Sequence, residues 1–259
     1  MPDAMPGLGG SVQRLLDAIY PPQCVVCGRA GSVVCATCLN SMRPPDAPIC
    51  AHCGATIANA GDPAPQLCPD CTAGRRLTHF DGVRVATTYE GAARTAILAL
   101  KFRGQRRVAE RLATLLTVPF WCDIQVADIV IPMPLHSHRQ RGRGYNQAEE
   151  VARAFSRLQG LRMCGDLLER TRATEAQTRL SREERRRNVA GAFALTSPVA
   201  AAAIKGRRIL LMDDVTTTGS TLDAAAEPLR AARATSIWGL ALARPAPGTS
   251  DAQDAHDPS

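Results

Sequence analysis

Lysine is nearly missing from this 259-residue chain: Lys101 and Lys205 stand against 29 arginines. With alanine abundant, that imbalance is what GC-rich coding produces, so the arginine count alone says little about function. Aromatic residues make up 4% of the chain, so aliphatic side chains and alanine must fill the core. The same scarcity argues against a dedicated platform of aromatics stacking a row of single-stranded bases. No apolar run approaches the roughly 18 residues that cross a bilayer, and no membrane insertion is expected. The opening stretch MPDAMPGLGGSVQRLLDAIYPPQ lacks a basic n-region and a continuous apolar core, so the expected location is the cytoplasm rather than an exported compartment. GxxxxGK[ST] is also missing, which argues against a P-loop nucleoside triphosphatase. The GLGG at 7–10 follows no strand, so it is not a dinucleotide fingerprint.

Hydrophobic residues at 45% suffice for a packed core, and a net charge of +7 with a pI near 9.1 favours anionic partners without choosing among them. Composition divides the chain. Residues 1–22 carry Val12, Leu15, Leu16 and Ile19 at helical spacing, with Ser11 as N-cap and Pro21-Pro22 as stop, so an amphipathic helix is expected. Residues 23–75 hold eight of the ten cysteines. Residues 78–245 alternate strand-like runs (FDGVRVATTY, DIVIPMP, RRILLMDD, TSIWGLALAR) with helical ones (GAARTAILALKFR, RRVAERLATLLTV, YNQAEEVARAFSRLQG, STLDAAAEPLRAA). That alternation predicts an α/β domain with a parallel sheet flanked by helices. Residues 246–259 are rich in Pro, Gly and Asp and read as a disordered tail.

The cysteines fall as four CxxC pairs: Cys24/Cys27, Cys35/Cys38, Cys50/Cys53 and Cys68/Cys71. A tight turn lets both thiolates of a pair face one ion, and two pairs close a tetrahedral site with no open position. The chain therefore reads as a double zinc ribbon holding two structural Zn2+, whose binding supplies much of the segment's folding energy. Redox or disulfide use fits four regular pairs without a thioredoxin-like context less well. Sequential pairing is the expectation, although spacing alone also admits a crossed one. His52, inside the third pair, is expected to be exposed, and Cys122 and Cys164 to be small core residues.

The stretch RRILLMDDVTTTGSTLDAAAEPLR holds the strongest chemical pattern. A strand Ile209 to Met212 would deliver Asp213 and Asp214 to its carboxyl end, where open α/β sheets bind ligands. Thr216, Thr217, Thr218, Gly219, Ser220 and Thr221 then lead into a helix whose N-terminal amides cradle an anion. Two carboxylates would repel a bare phosphate. They suit a ligand that also carries a diol or a divalent metal, and the sum describes a ribose-5-phosphate moiety. The plainer alternative is a strand–turn–helix capped by hydroxyls. After DIVIPMP, three arginines interleave with glycine (Arg139, Arg141, Gly142, Arg143), which suits a polyanion or a solvated loop. The segment QTRLSREERRRN (177–188) has five arginines in twelve residues and reads as a solvated helical face, a mobile lid or a nucleic-acid surface. Lys101, so rare a residue here, hints at a specific need for an ammonium.

ILLMDDVTTTGST resembles the phosphoribosyl-pyrophosphate (PRPP) signature of type I phosphoribosyltransferases. With the CxxC module, ILALKFRG, VIPMPLHSHRQRGRGYNQAEEVA and RTRATEAQTRLSREERRRNVAGAF, the chain from about residue 20 to 245 is similar to the ComF family of late-competence and GntX-like proteins. Ser220 stands where many relatives have alanine. The resemblance implies that Asp213 and Asp214 hold ribose hydroxyls directly or through Mg2+, and that Thr217 to Thr221 hold the 5-phosphate. It implies that His136, Arg139, Arg141, Gly142, Arg143 and Asn146 face the pyrophosphate, with Gln177, Arg187 and Asn188 as lid residues. It implies either a PRPP-binding phosphoribosyltransferase-like protein, in DNA uptake or nucleotide salvage, or a non-catalytic zinc protein that binds single-stranded DNA, with PRPP regulatory. Other competence proteins would be partners.

Overall fold

The computed structural model describes residues 17, 19–46, 48–57, 66–74, 78–117, 127–136, 141–172 and 182–246. The expected N-terminal helix (apart from Asp17 and residues 19–22), Cys122 and the tail beyond 246 lie outside the described residues.

Five parallel strands form the main sheet: β1 (Gly82–Thr88), β2 (Ile129–Pro132), β3 (Arg162–Met163), β6 (Arg208–Val215) and β7 (Ser236–Arg244), in the order β1-β7-β6-β2-β3. Two short strands, β4 (Leu168–Arg170) and β5 (Phe193–Leu195), pair antiparallel beside it. The central strands are buried on both faces, which is why their sequences read as continuous apolar runs rather than alternating ones. Leu210 and Met212 of β6 join one core layer, and Ile209 and Leu211 the other.

On the first face pack α3 (Gly91–Phe102), α4 (Val108–Ala113) with the 3-10 turn Thr114–Thr117, and α5 (Gln147–Gln159). On the second pack α7 (Pro198–Ile204) and α8 (Ser220–Ala231). Helix α5 starts on the Asn146 cap, whose side chain accepts the Ala148 N–H, and ends at Gly160 in the left-handed region (φ 66°). Helix α6 (Arg182–Val189) packs against α8.

The cysteine-rich segment carries two short helices, α1 (Ala36–Asn40) and α2 (Pro69–Thr72), and straddles the edge strand β1. Cys24, Val34, Cys38 and Met42 pack into the first core layer, whereas Cys50, Cys53 and Cys68 pack into the second with Phe80, Val83 and Val85. Between them the ribbon backbone covers the strand's open edge: Val83 donates its N–H to His52 O (2.7 Å) and Thr88 donates to Arg43 O (2.9 Å). Gly54 lies so close that a Cβ there would meet Val83 O at 2.6 Å. The module thus closes an edge that would otherwise pair with other chains.

Strand β6 differs from expectation. It continues through both aspartates to Val215, because Asp213 pairs with Ala241 and Val215 with Ala243 of β7. Among the described residues no helix is long and apolar enough to cross a membrane.

Candidate functional site

The crossing of the chain fixes where a ligand can sit. From β2 the connection runs to α5 on the first face, while from the neighbouring β6 it runs to α8 on the second. The carboxyl ends of β2 and β6 therefore flank a crevice at the topological switch point. Met133 N–H donates to Met212 O (2.7 Å), tying the two strands at its floor.

Asp213 and Asp214 stand on the β6 side of that crevice. Asp214 is 4% exposed. Its Oδ1 accepts the Val215 N–H at 2.6 Å and lies 3.3 Å from Lys101 Nζ, while its Oδ2 is buried without a hydrogen bond. A buried carboxylate oxygen left so is costly, and it is the kind of acceptor a sugar hydroxyl or a hard cation satisfies. Asp213 accepts the Asp214 N–H at 2.8 Å. Burial, and then the charge of Asp214, push its carboxyl up to about 7, against the opposing pull of Lys101 and Arg170.

Beyond the aspartates, Thr216 donates its N–H to Ala243 O (3.0 Å). Gly219 adopts φ 82° at the N-cap of α8, a conformation a side chain would strain. Thr218 Oγ1 and Ser220 Oγ are 2.8 Å apart. The structure thus brings the aspartates and the whole hydroxyl run to one strand end and one helix start. The first turn of α8 is tethered from outside the site: Asp223 Oδ1 accepts the N–H groups of Thr78 (2.9 Å) and His79 (3.0 Å).

On the β2 side, His136 and residues 141–146 are described, and Arg139 lies outside the described residues. Arg141 and Gly142 are exposed. Arg143 donates to Gln147 Oε1 (2.7 Å) and its guanidinium stacks on Phe102, 4.9 Å from the ring centre. Asn146 is buried, with its amide donating to Met133 O (2.9 Å), so its side chain joins the loop to β2 and caps α5. Of the lid residues, Gln177 lies outside the described residues, Arg187 is exposed on α6 and Asn188 is half-buried. Arg172 donates to the carbonyls of Asn188 (3.1 Å) and Ala190 (3.0 Å), tying the segment after β4 to the end of α6.

Sequence reading passed over three residues here. Arg244 is buried at the carboxyl end of β7, Arg170 ends β4 near enough for its charge to act on Asp213, and Asp223 anchors α8. The signal for Arg244 was available: a cation closing an apolar strand run, as the aspartates close β6.

The eight cysteines of the ribbon form two clusters in sequential order: Cys24, Cys27, Cys35 and Cys38, then Cys50, Cys53, Cys68 and Cys71, each with its sulfur atoms within 4.8 Å of one another. The sulfur pairs Cys27–Cys35 and Cys53–Cys68 are 3.7 Å apart. That is far beyond the ~2.05 Å of a disulfide and close to the ~3.8 Å edge of a tetrahedron with ~2.3 Å zinc–sulfur bonds. Backbone N–H groups of Cys35 and Cys68 point at the sulfurs of Cys24 (3.4 Å) and Cys50 (3.3 Å), as knuckle turns around a thiolate do. Four-thiolate donor sets of this shape fit structural Zn2+. His52 is not a ligand in either group. It is also less exposed than expected, since its ring meets Phe80 O at 3.0 Å. Cys164 is a buried core residue, as expected.

These features define a class: a parallel α/β domain flanked by helices, carrying a double zinc ribbon on its edge strand. The Double zinc ribbon domain family matches residues 15–72. Competence protein F of Haemophilus influenzae is 30% identical over 217 residues, covering 81% of this chain and 90% of that protein. DNA utilization protein YhgH of Escherichia coli (strain K12) is 30% identical over 80% of this chain and 89% of its own length. The chain belongs to this competence protein F (ComF/YhgH) family. The solved structure of glutamine PRPP amidotransferase from B. subtilis is similar over 56% of this chain and 30% of its own, at 17% identity and a TM-score of 0.35.

Proposed function

We propose that the domain is phosphoribosyltransferase-like and that its crevice binds PRPP or another ribose-5-phosphate ligand. The observation that carries this reading is the buried Asp214, one oxygen against Lys101 and the other unbonded, continuous with the hydroxyl loop at the start of α8. In this reading Asp213 and Asp214 take the ribose hydroxyls. Thr216, Thr217, Thr218, Gly219, Ser220 and Thr221 take the 5-phosphate, which the α8 amides also face. His136, Arg141 and Arg143 line the approach of the pyrophosphate, and the α6 arm with Arg187 covers the site.

Adjacent carboxylates offer the oxygen donors Mg2+ prefers; bound with PRPP, the ion would offset pyrophosphate charge. The reaction such a site supports is displacement of pyrophosphate at the anomeric carbon, with the arginines stabilising the departing charge. Titration calorimetry with PRPP and Mg2+, followed by a screen of nucleobases for turnover, tests the reading.

A second reading is supported by the relatives, named for competence and for DNA utilization. The exposed Arg141 and Arg187, with the half-buried Arg143, would contact single-stranded DNA, with PRPP regulatory and other competence proteins as partners. Fluorescence anisotropy with a labelled strand should then show salt-dependent affinity that falls when Arg141 and Arg187 become alanine; no binding at low salt excludes it.

A further inference from the structure

Three consecutive residues in the last turn of α3 reach both the loop after β2 and the acidic end of β6. Leu100 O accepts the Tyr145 hydroxyl, Lys101 Nζ meets Asp214 Oδ1 at 3.3 Å, and Phe102 carries the Arg143 guanidinium at 4.9 Å. The end of α3 thus joins the loop after β2 to the acidic end of β6, and the ammonium sits at the junction. Its side chain is 18% exposed and that of Asp214 is 6% exposed, so the pair is held where water screens it little.

The choice of cation is informative in a chain with 29 arginines and two lysines. A guanidinium beside a carboxylate takes both oxygens with its planar fork, whereas an ammonium is a point charge that engages one. Here one oxygen is engaged and the other, Oδ2, is left without a hydrogen bond. The ammonium also keeps N–H donors for a second anion. A group with those properties does two jobs: it holds Asp214 in place without closing it, and it offers charge to an anionic substituent near the sugar.

Resting on the ribose-5-phosphate reading, we infer that Lys101 is a ligand-binding residue that selects a ribose 5-phosphate bearing an anionic group at its first carbon over one without. The pairing with Asp214 aligns the ammonium for that group and leaves the buried Oδ2 without a competing donor. Arginine, the chain's default cation, cannot serve there.

The test is calorimetric titration of PRPP with Mg2+, and separately of ribose 5-phosphate, into the full chain, Lys101→Met and Lys101→Arg, with melting temperature and zinc content as controls. Lys101→Met should lower PRPP affinity ~10-fold or more, as loss of a charged contact does, and lower ribose 5-phosphate affinity by a smaller factor, ~3-fold, through the loosened Asp214. Lys101→Arg keeps the charge and the fold, and should weaken both ligands ~10-fold because its fork covers Oδ2. It carries the test if the methionine variant fails to fold. A wild-type chain that binds both ligands, with Lys101→Arg binding them equally well, overturns the inference and leaves the site reading intact. A wild-type chain that binds neither overturns both.

Discussion

Val83 of the edge strand donates its backbone N–H to the carbonyl of His52, the residue at the centre of the third CxxC pair, across 2.7 Å. The contact makes the second cysteine cluster part of the sheet's boundary. Cys53→Ser should therefore do more than remove an ion. Metal analysis should fall from about two zinc ions per chain to about one, and light scattering should show association through the uncovered β1 edge. One zinc per chain with the scattering mass of the wild type would contradict this.

Gly54→Ala probes the same boundary without touching a ligand. Its φ of 66° disfavours any Cβ, and the added carbon would meet Val83 O at 2.6 Å. Strain of ~1–2 kcal/mol for the dihedral, plus the displaced backbone, should lower stability by at least ~2 kcal/mol in urea denaturation. A change under ~0.5 kcal/mol would mean that the ribbon does not hold this close approach.

Asp128, just before β2, gives a pH dependence. Hydrogen bonds from the Arg208 side chain and backbone hold its carboxyl near 2, below the ordinary 3.8. A folded value below the unfolded one means that the stabilisation is complete above about pH 4 and is lost as pH falls toward 2. The pair is partly exposed, so Asp128→Asn should cost only ~1 kcal/mol at pH 7. The variant should also show a shallower loss of stability between pH 4 and pH 2.

Asn146 is bound within the protein, to Met133 O and the Ala148 N–H. Asn146→Ala should lower stability by the ~1 kcal/mol of a lost cap, and further for the orphaned Met133 carbonyl, with a matching fall in melting temperature. If the variant melts like the wild type, its role lies with the ligand instead.

Long periodic elements and the strand that carries the two aspartates were legible from residues alone, because burial on both sheet faces and helical spacing leave strong patterns, although the strand's continuation to Val215 was not. The CxxC spacing carried the zinc reading, but the order of pairing needed coordinates. Strands β4 and β5 escaped, since three-residue strands such as Leu168–Arg170 and Phe193–Leu195 are set by long-range pairing rather than local pattern. Helix α7 (Pro198–Ile204) escaped because an alanine run shows little amphipathic contrast. What Lys101 pairs with was illegible for a related reason: its partner lies more than a hundred residues away, and only the packing of α3 on the sheet joins them.

Binding of PRPP with Mg2+ to wild type and to Asp213→Asn with Asp214→Asn tests the central claim most directly. Calorimetry should detect binding to the wild type and none to the double variant, whose melting temperature and zinc content stay near wild type. Equal binding by a folded double variant would contradict the assignment of the carboxylates to the ligand.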